Sequence, residues 1–316
     1  MRSSLITPND IVDQGEKILP GIPTVIVLRA GVLVSEAAKK FGTYHEVFSR
    51  FFQDGFIHHH HAEQQPEGTG QHQLQLLSFN VLQNSGPADA DDPVEYPSDE
   101  LLHDSIGLLI SGSAANAYDD IPWITDLLGF SKELIRRHHH LKLFGICFGH
   151  QIFARALGAH VLRNPLGWEL GIYEVQLSPL GQTLFDLTCP LKLHQVHRDI
   201  VASLPSSTLS LASTDKCAVH GFLLLDEDAS TIEGQIPSGQ HLTRHTRLLA
   251  LQGHPEYSVP ILRDLINART RNGDDWSLID PNAYQFALDS IAKFPNPNDH
   301  HGALVSHKFL QILNLL

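Results

Sequence analysis

Short unbroken apolar runs alternate along this chain with longer stretches in which apolar positions recur every three or four residues. TVIVLRAG from Thr24, LQLLSFNVLQ from Leu74, SIGLLISG from Ser105 and LKLFGIC from Leu141 are short and apolar, which predicts buried strands. Between them, YHEVFSRFF places Tyr44, Val47, Phe48, Phe51 and Phe52 on one helical face. PWITDLLGFSKELIRR from Pro122 suits a helix with proline in its first turn, and GHQIFARALG a helix closed by Gly158. Strands that alternate with helices predict βαβ units and a mostly parallel sheet flanked by helices, an α/β fold. Beyond Gly158 the rhythm shortens. GIYEVQLSP, STLSLAST and HGFLLL predict strands of a small antiparallel extension. RLLALQGHPE from Arg247 returns to a buried strand, and Ser258–Arg271, Pro281–Lys293 and VSHKFLQILNLL predict helices. Residues 1–22 are polar and punctuated by proline, so they read as a loose lead-in. Residues 23–316 then form one domain, with a core over about 24–271 and C-terminal helices over 272–316.

Two biased segments interrupt this pattern. HHHHAEQQPEGTGQHQ from His58 reads as a flexible loop; neighbouring imidazoles can bind zinc or copper, but adjacent histidines on a loop seldom converge on one ion, so no metal site is expected there. PADADDPVEYPSDE from Pro87 reads as an acidic surface loop.

Composition narrows the partners. A chain of 316 residues with net charge −13 and no basic stripe is a poor nucleic-acid or membrane-surface binder. Its cysteines, Cys147, Cys189 and Cys217, are odd in number and show no CxxC spacing, which argues against a disulfide framework or a cysteine-rich zinc site. With no apolar leader and no stretch of 18 apolar residues, a cytoplasmic protein is expected.

The chemistry-bearing stretch is Gly145-Ile-Cys-Phe-Gly149. A cysteine at a strand-to-helix turn, with a glycine two residues to either side, is the counterpart of the G-x-S-x-G elbow. The turn lifts the sulfur above the carboxyl ends of the strands, and the following helix N-terminus favours thiolate. The Phe148 amide points toward an oxyanion formed on attack. A thiol nucleophile needs a base. His254 directly follows a buried strand, and Glu256, two residues on along an extended segment, falls on the same side to orient the imidazole.

GICFGHQ followed by HPE resembles the class I glutamine amidotransferases, over about Thr24 to Arg271. G-x-C-x-G alone is similar to other cysteine-elbow families, the intracellular-protease-like group among them, but those lack the late HPE. The resemblance implies an open flavodoxin-like sheet, a catalytic set of Cys147, His254 and Glu256, and no metal or organic cofactor. LLISGSAANAYDDIPWI is similar to the family's oxyanion loop, which assigns Gly112 and Ser113 to the oxyanion hole with Phe148; Ser113 stands where many members have a second glycine, a change that keeps the backbone donor. Gln151 is expected to line the glutamine pocket. The implied activity is hydrolysis of the glutamine γ-amide through a γ-glutamyl thioester. GWELGIYEVQLS from Gly167 and HQVHRDIV from His194 are similar to stand-alone members, so γ-glutamyl peptidase action on glutathione or its conjugates is the first alternative, and a non-catalytic interaction protein on the same scaffold the second. Too few residues follow Glu256 for a synthase domain and no P-loop occurs, so ammonia use would need a separate synthase subunit.

Overall fold

The computed structural model describes residues 1–63, 72–83, 93–226, 236–271, 276–296 and 299–316. The middle of the sheet is parallel: β4 (Leu74–Asn80), β3 (Thr24–Arg29), β5 (Gly107–Ile110), β6 (Lys142–Ile146) and β13 (Thr246–Leu251) lie side by side in that order. These strands are covered on both faces, which is why they read as continuous apolar runs: every residue of β3, β4, β5 and β13 is buried. Alternate side chains feed two cores. Val25 and Val27 join Phe48, Phe52, Phe144 and Phe309 on one face, while Ile26 and Leu28 join Trp123, Ile124, Phe148 and Ile152 on the other.

The first face is packed by α2 (Tyr44–Glu63) and α10 (Gly302–Ile312), the second by α4 (Pro122–Arg137) and α5 (Phe148–Ala156). The remaining helices are α1 (Ser35–Phe41), α3 (Asp99–Asp104), α6 (Pro179–Phe185), α7 (Gly239–His245), α8 (Val259–Thr270) and α9 (Pro281–Lys293). Beyond β13 the sheet continues antiparallel through β12 (Gly221–Leu225), β11 (Leu209–Ser213), β8 (Glu169–Leu177) and β9 (Leu191–His197), the extension that the shortened rhythm predicts. A separate pair joins β7 (Val161–Arg163) to β10 (Asp199–Val201). Among the described residues, no helix is long and apolar enough to cross a membrane.

Two expectations are corrected. The first residues are no loose lead-in: β1 (Arg2–Ile6) pairs antiparallel with β4, and β2 (Ile11–Gly15) pairs with β1 at the sheet edge. Two of the polar residues that suggested a loop, Ser3 and Ser4, are buried within this pairing, where the Ser4 hydroxyl meets His45 Nε2 at 2.8 Å. Nor are His58–His61 a loop; they continue α2, where the rings of His58 and His59 pack against His307. Residues 64–71, and 84–92 with the first part of the acidic loop expected from Pro87, lie outside the described residues.

Candidate active site

Three adjacent parallel strands deliver the candidate residues to one edge of the sheet. Gly112 follows β5, Cys147 follows β6, and His254 follows β13. Since β5, β6 and β13 are neighbours with matched direction, their carboxyl ends converge, as open α/β sheets require at a ligand site.

Cys147 is held at φ 52° and ψ −101°, a left-handed conformation that a side chain adopts only under constraint. Its N–H donates to the carbonyl of Leu251 at 2.9 Å, and the Gly149 N–H to Ser111 at 3.2 Å, so the elbow is tied to both neighbouring strands. The flanking glycines are sterically required. A Cβ on Gly145 would stand 2.8 Å from the Gly149 carbonyl, and one on Gly149 would collide with the carbonyl oxygen of Ile110. Phe148 opens α5, where its N–H has no partner within the helix.

His254 is buried, and its backbone N–H is tied to the carbonyl of His194 on β9 at 2.8 Å. Its Nδ1 lies 2.8 Å from Glu256 Oε1, which fixes the tautomer because an ionised carboxylate only accepts. Burial disfavours the charged imidazolium. The carboxylate of Glu256 and the side chain of Cys147, both close by, outweigh that and raise His254 to about 10. Gly112 completes the arrangement: a Cβ there would lie 2.8 Å from His254 Cε1 and 3.7 Å from Cys147 Cβ, so the imidazole rests directly on the turn after β5.

Cys147 opens into a cleft of ≈ 140 Å³ that Ser113, Phe148 and Gln151 also line. Gln151 is engaged with the frame of this cleft, its Nε2 donating to the Asp199 carbonyl at 3.1 Å and to Gln252 Oε1 at 3.0 Å. A larger groove of ≈ 1360 Å³ runs behind Glu256 and Tyr257, but Cys147 is not part of its wall, so the smaller cleft is the relevant one.

Sequence reasoning missed several residues around Cys147 and His254. Tyr257 and Tyr44 back the imidazole, with their hydroxyls 2.6 Å apart. Trp168, Arg163, Arg198 and Arg269 line the cleft. Arg163 pairs with Asp199 at 3.2 Å, whereas among the described residues Arg198 and Arg269 pair with no carboxylate. The Arg269 guanidinium lies over the Trp168 ring, 5.8 Å from its centroid. Tyr257 stands next to HPE, and Trp168 and Arg198 fall within the segments GWELGIYEVQLS and HQVHRDIV without being singled out; the arginines come from β7, the turn after β9 and α8, which the fold brings together.

Comparison with known proteins follows this geometry. Residues 75–261 match the family model described as Glutamine amidotransferase class-I. The chain is similar to a glutamine amidotransferase-like protein of Schizosaccharomyces pombe, 26% identical over 242 residues that cover 77% of this chain and 82% of that protein. It is also similar to gamma-glutamyl peptidase 4 of Arabidopsis thaliana, 31% identical over 239 residues, 74% of this chain and 76% of that one. A crystal structure of a glutamine amidotransferase from Methylobacillus flagellatus superposes with a TM-score of 0.56 at 17% identity, covering 93% of this chain and 95% of that one, a likeness of fold. With more than half of its length inside the family match, the chain belongs to the class I glutamine amidotransferases.

Proposed function

We propose that this protein hydrolyses the γ-glutamyl amide of glutamine with Cys147 as nucleophile, His254 as base and Glu256 as the orienting acid. The observation that carries this reading is the strained Cys147 elbow set against a His254–Glu256 pair 2.8 Å apart. The Cys147 thiolate attacks the γ-carbonyl, forming the C–S bond and moving the carbonyl electron pair onto oxygen. Backbone amides at Gly112-Ser113 and Phe148 receive that oxyanion; losing one such donor costs about 2.7–4 kcal/mol of transition-state stabilisation. The His254 imidazolium protonates the departing nitrogen, the C–N bond breaks, and ammonia leaves. Neutral His254 then takes a proton from water, hydroxide attacks the γ-glutamyl thioester, and glutamate departs as the thiolate is restored.

A second reading, γ-glutamyl peptidase, is favoured by the cleft. Arg198 and Arg269 line it with no carboxylate partner among the described residues. Glutamine carries one carboxylate for them, whereas a glutathione-type peptide carries two. The relatives named gamma-glutamyl peptidases support the same reading. Both reactions share the thioester and differ in the leaving amine; a separate synthase subunit is needed only if ammonia is passed on. The test is glutamate release from glutamine, glutathione and a γ-glutamyl conjugate by the purified protein. Activity on at least one, without a partner, is expected, and kcat/KM for glutamine against glutathione decides between the readings. Inactivity on all three, with Cys147 still alkylatable and the protein folded, would leave a partner-dependent subunit or a binding protein.

A further inference from the structure

Behind the cleft wall lies a buried group that the thioester chemistry does not use. Glu169 and His197 stand directly opposite each other where β8 and β9 pair, so their side chains share one face of the sheet. His220 immediately precedes β12 and is fixed there by its backbone, with its N–H donating to Ala212 and its carbonyl accepting from Gln252. One ligand-type atom from each of the three lies within 4.8 Å of the other two, and all three side chains are 4% exposed or less.

The hydrogen bonds around this group define what it lacks. Glu169 Oε1 accepts from the Thr214 hydroxyl at 2.6 Å. His197 Nδ1 lies 3.1 Å from the Asp199 carbonyl oxygen, which can only accept, so Nδ1 carries the hydrogen. Nε2 of a neutral His197 therefore presents a bare lone pair to Glu169 Oε2 at 3.0 Å, and the two atoms make no aligned hydrogen bond. Two lone pairs at that separation repel unless a positive centre lies between them. A proton on His197 would satisfy that pair alone. It would leave His220, whose Nε2 is 4.0 Å from the same Oε2 and whose two ring nitrogens have no hydrogen-bond partner among the described residues. Such orphaned buried groups are rare and costly. A cation serves all three at once.

We propose that Glu169, His197 and His220 bind one divalent metal ion of the zinc class. Two imidazoles and a carboxylate suit zinc or cobalt rather than calcium or magnesium, which prefer all-oxygen shells. The outer contacts are those of a metal centre: a backbone carbonyl holds the far nitrogen of His197, and a hydroxyl holds the far oxygen of Glu169. The ion ties β8, β9 and β12 together and braces the turn 196–199, whose Asp199 carbonyl also receives Gln151 and whose side chains line the Cys147 cleft. It takes no part in bond breaking, so the assignment stands apart from the identity of the substrate.

The test uses untagged full-length protein stripped with a chelator and titrated with Co²⁺, followed by visible d–d absorption, and with Zn²⁺, followed by thermal melting. One equivalent of Co²⁺ with a histidine-ligated spectrum is expected, displaced by Zn²⁺, and Zn²⁺ should raise Tm. Glu169→Gln and His220→Ala should each weaken Co²⁺ binding by about 100-fold or more, and Thr214→Val by about 10-fold. His59→Ala/His61→Ala, on the histidine-rich end of α2, should leave it unchanged. Should a ligand variant fail to fold, the wild-type spectrum and Thr214→Val decide. Absence of tight Co²⁺ binding in the wild type overturns the assignment, as does binding that survives in Glu169→Gln and His220→Ala or disappears in the α2 variant.

Discussion

The imidazole of His254 and the ring of Tyr257 lie face to face, centroids 4.1 Å apart and planes 3° from parallel. Glu256 fixes which nitrogen of His254 holds the hydrogen, and the stack fixes the plane of the ring. Tyr257→Ala should let the imidazole tilt and lower kcat by about 10²-fold, the scale of a 1 Å misplacement. Tyr257→Phe gives up the bond to Tyr44 but keeps the stack, and should keep most of the rate. Equal kcat for Tyr257→Ala and wild type would show that Glu256 positions the ring unaided.

Cys147→Ala should abolish glutamate release and leave the fold intact, because the elbow is held by the backbone bonds of Cys147 and Gly149 to the neighbouring strands. Cys189 is exposed, and Cys189→Ser should turn over within a few-fold of wild type. A glutamine analogue with an electrophile at the γ position should add once per chain, at Cys147, with protection by glutamine. Mass spectrometry showing equal labelling of all three cysteines would rule out a glutamyl pocket at the elbow.

The base and the orienting acid should differ in weight. His254→Ala removes proton transfer and should cost about 10⁶-fold in kcat, whereas Glu256→Gln keeps an imidazole in place and should cost about 10⁴-fold. The reverse order in single-turnover kinetics would require their roles to be exchanged.

Two glycines separate catalysis from folding. In Gly112→Ala the new methyl would press on His254 Cε1, a side-chain atom that can yield, so the protein should fold and lose most of its rate. In Gly149→Ala the methyl meets the backbone of Ile110 in the central sheet, which cannot yield. That variant should be strongly destabilised, and circular dichroism melts of the pair would show whether the two effects divide in this way.

The raised His254 gives stability a pH signature. A group near 6.5 when unfolded and about 10 when folded contributes fully below pH 6.5, and the contribution is lost as pH rises through about 10. The Tm gap between wild type and Glu256→Gln should therefore narrow from about pH 6 to about pH 10. A gap that stays constant over that range would mean that His254 is neutral in the folded protein.

The parallel strands were readable from the sequence because burial on both faces makes them apolar at every position, as in β3, and α2 because its phenylalanines recur at helical spacing. The elbow and HPE were readable because a strained turn, and the proton transfer proposed for His254, demand particular residues. What escaped notice was polar material inside the fold. In β9, His194, Gln195 and His197 are buried, and in β1, Ser3 and Ser4 are buried, so hydropathy did not mark these as sheet positions. The histidines of α2 carry neither apolar periodicity nor a turn signal, and their packing against His307 and His72 shows which way they face.

The place of β13 beside β6 has a consequence for when activity can arise. The strand that leads to Cys147 ends at Ile146, and the strand that leads to His254 starts at Thr246, about a hundred residues later. Between them the chain must lay down the whole antiparallel extension, and pairings this distant in sequence form late. A nascent or partly folded chain that lacks this pairing therefore carries Cys147 without His254 beside it. On the proposed reading, hydrolytic power would be complete only once β13 has joined β6, so a folding intermediate that lacks that pairing would spend no glutamyl substrate.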